Sequence, residues 1–227
     1  MMKWTENYRK AVTFSYDDGI EQDIRLAALF NRYGLKATFN LNSGLNRENS
    51  TWQYKGVQVH RMNLAECLDI YKGHEIAVHG LTHMNMTEYP EAEIRKELLE
   101  DYRNLTEIFG TEPAGMAYAY GAYNDTVLKV VGGMGLKYAR GVNSSHSFDV
   151  QTKLLEFRPT CHHDDEQLFD LAERFIAAEP GGPQIFYVWG HAYEFDGNRN
   201  WDRFERFLEK ISGREDVFYG TNREVLL

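Results

Sequence analysis

The chain has 227 residues, of which 43% are hydrophobic and 26% charged, and its formal net charge is −9. This composition is typical of a globular protein and excludes intrinsic disorder as the main state. A negative surface repels a phosphate backbone, so no nucleic acid is expected as a partner. No run of about 18 apolar residues appears, so no membrane partner is expected either.

The length predicts one domain over residues 1–227. The two cysteines are too few for a disulfide framework. The first residues lack the pattern of a secretory signal, so a cytoplasmic location is expected, although an exported chain without its signal has the same pattern. The sequence gives no indication of the oligomeric state.

Strand-like and helix-like segments alternate along the chain. The predicted strands are residues 11–15, 36–41, 74–78, 115–118, 138–140, 157–158 and 184–189. The predicted helices are residues 20–33, 91–109, 126–131, 166–178 and 203–211, and residues 42–61 and 142–156 are expected to be long loops. The alternation predicts an α/β fold, a distorted (β/α) barrel of about seven or eight parallel strands. Whether the barrel is complete or incomplete is left open.

Chemically reactive side chains follow several of the predicted strands. Asp17 and Asp18 come after the first strand, His79 and His83 after the third, and His191 after the last. In barrels of parallel strands, the loops at the carboxyl ends of the strands carry the chemistry. The sequence therefore predicts that these side chains share one mouth of the barrel.

Two histidines four residues apart can reach one ion from a single turn, and an aspartate completes a set typical of a catalytic divalent ion. The alternative for His79 and His83 is a pair of solvated loop histidines. Asp17 and Asp18 likewise have two interpretations. They are a metal ligand and a general base, or only the acidic start of a helix.

Four segments of the sequence resemble the NodB-type polysaccharide deacetylases. They are TFSYDDG, GHEIAVHGLTH, AYAYGAY and IFYVWGH, and together they span residues 12–191. Members of this family are carbohydrate esterases of family 4 with a distorted barrel, and they remove N-acetyl groups from amino sugars. The acidic pair and the His-x-x-x-His segment are the most specific parts of the resemblance.

The resemblance implies roles for individual residues. Asp17 corresponds to the general base, and Asp18, His79 and His83 correspond to the ligands of a divalent metal ion. Zinc is the expected ion, with cobalt, nickel and iron as alternatives. Spacing alone does not say which aspartate has which role.

The resemblance also implies that the backbone N–H of Tyr120 stabilises an oxyanion and that His191 is the acid that protonates the leaving amine. Two neighbours of His191 are further candidates for contact with substrate. Trp189 either stacks on a sugar ring or packs the barrel. Glu194 either orients His191, contacts substrate hydroxyl groups, or caps the next segment.

The chain departs from the family in its third motif, where Ala117 stands in place of an arginine that pairs with the base. We expect Arg158 to replace that arginine in space, with Arg140 as the competing candidate. The fourth motif is not recognisable, and its region contains His162 and His163, which are extra metal ligands or part of a solvated loop.

The expected function is a metal-dependent hydrolase that removes N-acetyl groups from amino-sugar glycans or oligosaccharides, so an acetylated amino sugar is the expected partner. Two alternatives are open. One is an amidase that acts on a small non-carbohydrate amide. The other is a sugar-binding homologue that has lost catalysis, which the missing arginine of the third motif motivates.

Overall fold

The computed structural model describes residues 2–227, and within them the chain forms ten β-strands and seven α-helices. The strands are β1 (Lys10–Asp17), β2 (Thr38–Leu41), β3 (Thr51–Tyr54), β4 (Val57–His60), β5 (Glu75–Val78), β6 (Gly115–Ala117), β7 (Tyr138–Arg140), β8 (Cys161–His162), β9 (Gln184–Gly190) and β10 (Val217–Tyr219). The helices are α1 (Asp23–Arg32), α2 (Glu91–Phe109), α3 (Asp125–Gly133), α4 (Leu168–Ala177), α5 (Tyr193–Asn198), α6 (Trp201–Ile211) and α7 (Asn222–Leu226).

Eight of the strands described in residues 2–227 form one parallel sheet. Its order is β7-β6-β5-β2-β1-β9-β8, and β10 pairs with the first half of β1. Every residue of β1 is buried, as is typical of a central strand in a parallel sheet with helices outside it. The sheet curves into an open half-barrel with flanking helices, which confirms the predicted distorted and incomplete barrel.

The strongest periodic patterns gave the most accurate bounds. Helix α2 occupies the predicted residues, and Gly110 ends it in the left-handed conformation with φ of 68°. The last predicted helix, residues 203–211, lies within α6, whose buried face includes Phe204, Phe207, Leu208 and Ile211.

Two predicted segments differ from the structure. Residues 157–158 do not form a strand, since Phe157 makes one isolated bridge to Arg140. The predicted loop 42–61 contains the antiparallel hairpin of β3 and β4. Within residues 2–227, none of the helices has the length and apolar character needed to cross a bilayer.

Candidate active site

The carboxyl ends of the parallel strands bring the predicted residues together. Asp17 is the last residue of β1, His79 follows β5 directly, and His191 follows β9 directly. Asp18 leaves the strand with φ of 90°, and His83 also has a positive φ, 58°. Such backbone values are uncommon outside glycine and cluster at functional sites.

Asp18, His79 and His83 have the geometry of a metal site. Oδ1 of Asp18 lies 3.9 Å from Nε2 of His79 and 3.6 Å from Nε2 of His83. Nδ1 of His79 lies 2.8 Å from the carbonyl oxygen of Ala117, which only accepts, so Nδ1 carries the proton. The lone pair on Nε2 therefore faces Asp18, and this buried atom has no hydrogen-bond partner among residues 2–227. One ion at this point would use all three groups.

The protonation states also suit a metal. Burial lowers the pKa of His79 and lowers that of His83 to about 4, so both imidazoles are neutral near pH 7. Burial alone would raise the pKa of Asp18, but the nearby Arg61 charge and the neighbouring histidines lower it to about 2. The three groups are thus in the forms that bind a cation.

Asp17 is held by an arginine from another strand. Nη2 of Arg140, the last residue of β7, donates to both carboxylate oxygens of Asp17, at 2.6 Å for Oδ2. Asn40 on β2 donates to Oδ1 at 2.8 Å. Burial alone would raise the pKa of Asp17, but the Arg140 charge lowers it. Asp17 is therefore a fixed, ionised carboxylate.

The prediction that Arg158 pairs with Asp17 is wrong. Arg158 is exposed, and its Nη2 donates to the carbonyl oxygen of Ser144 at 3.0 Å. The preceding Phe157 is buried and bridges to β7, so the extended chain directs the next side chain outward. Arg140, the competing candidate, makes the contact instead.

Arg140 reaches Asp17 because β6 and β7 are adjacent. Ala117, which stands where the family has its arginine, is the register partner of Arg140. The Arg140 side chain is fully buried, and its guanidinium lies 4.6 Å above the Trp189 ring. The positive charge beside Asp17 therefore comes from Arg140 on β7, and not from position 117 on the adjacent strand β6.

His191 lies on the other side of the acidic pair. Its Nε2 is 3.9 Å from Oδ2 of Asp17 and 4.0 Å from Oδ2 of Asp18. Its Nδ1 is 3.2 Å from Oε2 of Glu194, so Glu194 orients the imidazole, which was one of the predicted alternatives. Burial lowers the pKa of His191, but the hydrogen bond with Glu194 and the nearby carboxylates raise it to about 9.

The two remaining candidates have different surroundings. Trp189 is only 7% exposed and packs against the Arg140 guanidinium, so of the two interpretations the structure favours packing. Tyr120 is 67% exposed, has φ of 58°, and its ring lies 4.7 Å from the His83 ring. It stands at the rim of the mouth, next to the candidate metal site.

Sequence reasoning missed Arg61. Its Nη2 donates to Oδ1 of Asp18 at 3.0 Å, and its Nη1 donates to the Asp18 carbonyl oxygen and to Asn42. Asn42 in turn donates to the carbonyl oxygens of His79 and Gly80. Arg61 follows the hairpin inside the predicted loop, so no periodic signal marked it.

The sequence profile of the family described as polysaccharide deacetylase matches residues 5–139, more than half of the chain. The chain belongs to the polysaccharide deacetylase family. A comparison with curated proteins found no match.

Solved structures with the same fold include esterases and a pseudoenzyme. A family 4 carbohydrate esterase from Streptomyces lividans, in complex with acetate, is 17% identical and has a TM-score of 0.56, with 94% of this chain and 93% of that chain covered. A family 4 acetyl xylan esterase from Clostridium thermocellum, in complex with a cobalt ion, is 16% identical with a TM-score of 0.58 and coverage of 95% and 90%. A CE4 family pseudoenzyme from Bacillus anthracis is 17% identical with a TM-score of 0.60 and coverage of 96% and 66%.

Proposed function

We propose that the protein is a metal-dependent hydrolase that removes N-acetyl groups from amino-sugar glycans or oligosaccharides. One observation carries this proposal. An ionised carboxylate, Asp17, and a protonated imidazole, His191, face each other beside the Asp18, His79 and His83 set. Hydrolysis of an amide needs a base and an acid at the same point.

A divalent ion held by Asp18, His79 and His83 would polarise the acetyl carbonyl and lower the pKa of a water molecule. Zinc is the ion that we propose, because two imidazoles and one carboxylate with open positions are typical of catalytic zinc. The cobalt complex of the Clostridium thermocellum esterase is consistent with a divalent ion in this fold.

The residues of the chain supply the proton transfers. Asp17 takes a proton from the attacking water, and the Arg140 contact keeps its carboxylate ionised and in one orientation. The backbone N–H of Tyr120 donates to the oxyanion that develops on the acetyl group. His191 gives its proton to the departing nitrogen, and Glu194 holds the imidazole in the required orientation.

The surroundings of His83 support a saccharide over a small enclosed amide. A cavity of about 560 Å³ opens beside His83 and is lined by Tyr89 and Tyr120, both exposed, and by Asn85 and Glu88. Exposed aromatic faces and polar groups are suited to the apolar faces and hydroxyl groups of a sugar. A deep closed pocket would favour the amidase alternative, whereas this cavity has an exposed and largely polar lining.

The inactive homologue is the second candidate, and the Arg61 contact is the observation that favours it. A cation bonded to the ligand Asp18 repels a metal ion. The Arg140 contact argues in the opposite direction, because it restores the arginine that the third motif lacks.

The test is acetate release from N-acetylglucosamine oligomers, measured with added zinc or cobalt and again after chelation. We expect release that chelation abolishes and that renewed metal restores. Asp17→Asn is the control, since an amide keeps the shape of the carboxylate but does not accept the proton. Equal release by wild type and Asp17→Asn, or none by wild type with metal bound, would contradict the proposal.

A further inference from the structure

A second cluster of metal-ligand types lies behind His191. It consists of His162, His163 and Asp164, which follow each other at the end of β8, and of Glu194 at the start of α5. His162, His163 and Asp164 each offer one ligand atom, and these atoms lie within 4.8 Å of one another. Of the two alternatives for His163, the solvated loop is excluded, because this side chain is fully buried.

The flat faces of the His163 ring pack between two aromatic rings. Its ring stacks on Phe195, with centroids 4.1 Å apart, and on Tyr16, with centroids 5.7 Å apart. Neither ring nitrogen has a hydrogen-bond partner within the described residues 2–227. A buried polar atom without a partner is costly, so this imidazole points to a ligand that satisfies it.

The distances from His163 are those of shared coordination. Its Nε2 lies 3.6 Å from Oδ2 of Asp164 and 3.5 Å from Oε2 of Glu194, longer than ordinary hydrogen bonds. Two ligand atoms about 2.1 Å from one tetrahedral ion are about 3.4 Å apart. The first site has similar separations, 3.6 Å and 3.9 Å between Asp18 and its two histidines.

Other side chains support the two carboxylates. The amide nitrogens of Asn198 and Asn200 donate to the two oxygens of Asp164. Nε2 of His162 lies 3.0 Å from Oε2 of Glu194. Carboxylates that ligate metals are usually held by such outer hydrogen bonds.

We propose that His163, Asp164 and Glu194 form a second divalent-cation site. His162 supports it from outside, since its Nδ1 accepts from the Asp164 N–H and its Nε2 donates to Glu194. Mixed imidazole and carboxylate donors select a cation of the zinc type over calcium or magnesium. The site is separate from the ligand set of Asp18, and it does not depend on the proposed deacetylase activity. It shares Glu194 with His191, so its occupancy competes for the carboxylate that orients the proposed acid.

The test counts ions on the purified, folded chain with zinc as the only added metal. Equilibrium dialysis followed by elemental analysis should give two ions for wild type and one for His163→Phe. Phenylalanine suits the gap between Tyr16 and Phe195, and the replaced ring has no hydrogen bonds to lose, so His163→Phe should fold. The matched control is His146→Gln, a partly exposed histidine bonded to Asp165, which should still bind two ions.

The double variant His79→Ala with His83→Ala distinguishes the two sites, because it should lose the ion at the first site and keep the ion at the second. Adding His163→Phe to this variant should remove the second ion as well. Anomalous diffraction at the zinc edge from wild-type crystals gives a second readout, with a peak beside Nε2 of His163. One ion in both wild type and His163→Phe, or an anomalous map without that peak at saturating zinc, would overturn the proposal. If wild type binds the ion beside His163 but none at Asp18, His79 and His83, the result would contradict the proposed function and support the second site.

Discussion

Asp17 and Asp18 are neighbours in the sequence, and both are buried and ionised, yet they belong to two different regions of the site. Both oxygens of Asp17 accept from Arg140 at the end of β7. Asp18 turns away from the strand with φ of 90° and meets Arg61 and the two candidate metal-binding histidines. Each aspartate therefore has its own arginine, from a different part of the chain.

The difference between the two pairs separates the two tasks. The Arg140 contact fixes Asp17 and keeps it ionised, while its Oδ2 still faces His191, which suits the proposed role of a base. Oδ2 of Asp18 faces His191, and Oδ1 is shared between Arg61 and the histidines. Asp18 is thus the carboxylate with room for an ion.

A third buried aspartate shows what happens without an arginine. Asp23 accepts from the Ile20 N–H and the Tyr71 hydroxyl, and its Oδ1 has no hydrogen-bond partner among the described residues 2–227. Burial raises the pKa of Asp23 to about 8, whereas the pKa values of Asp17 and Asp18 are lowered. The neighbouring arginine, and not burial, therefore sets the charge of Asp17 and of Asp18.

The largest expected effect comes from exchanging the two aspartates for asparagine one at a time. Asp18→Asn should lose the ion at the first site and all turnover, because an amide oxygen is a weaker ligand than a carboxylate. Asp17→Asn should lose turnover by about 10³-fold or more but keep that ion. Metal analysis and acetate release on both variants, in the His163→Phe background, check this. The same metal content in both variants would contradict the division of roles.

Arg61 offers a test of charge against geometry. The repulsion between its guanidinium and a nearby divalent ion is on the order of several kcal/mol at an effective dielectric constant of about 20. The positioning of a ligand by an outer hydrogen bond contributes about 10- to 100-fold in affinity. We therefore expect Arg61→Gln to bind zinc at least about tenfold more tightly than wild type, and Arg61→Lys to bind it about tenfold more weakly.

Competition with a chelator of known affinity measures these zinc dissociation constants. Weaker binding by Arg61→Gln would show that the bonds from Arg61 to Asp18 and Asn42 matter more than its charge. Arg47→Gln is the control, since Arg47 is exposed and pairs with Glu21 on the surface. This variant should leave the zinc affinity unchanged.

The last prediction concerns stability and Asp23. Its pKa is about 8 in the folded chain and about 3.9 when unfolded, so the folded state binds the extra proton between these values. The contribution of Asp23 to the free energy of unfolding should therefore fall as pH rises, by up to about 1.4 kcal/mol per pH unit between about pH 5 and pH 8. Asp23→Asn should flatten this slope. Denaturant unfolding of the metal-free proteins at several pH values checks it, and parallel profiles would contradict it.

The sequence predicted the parts of the site that depend on strand ends. Asp17, His79 and His191 follow apolar segments, and parallel strands carry such residues to one mouth. It did not predict which arginine reaches Asp17, because that depends on the register of β6 against β7 and on the burial of Phe157. Arg158 was a candidate because residues 157–158 were predicted as a strand, and this segment does not form one.

The other omissions have a similar cause. The hairpin of β3 and β4 has only four residues in each strand, too few for a clear alternating pattern, so the segment with Arg61 was predicted as a loop. The burial of His163 depends on the long-range stacking with Tyr16 and Phe195 and on the approach of Gly190, where any side chain would collide with the imidazole. These are tertiary contacts between distant segments, which local patterns do not encode.

The most direct measurement compares the turnover of Arg140→Ala and Arg158→Ala, each at full zinc occupancy and each against wild type. We expect Arg140→Ala to lower kcat by about 100-fold without loss of the ion, because Asp17 loses its orientation and its charge partner. Arg158→Ala should keep the wild-type rate, since its side chain contacts only the surface. Wild-type turnover in Arg140→Ala, or an equal loss in both variants, would contradict the assignment of Arg140 as the arginine that positions the base.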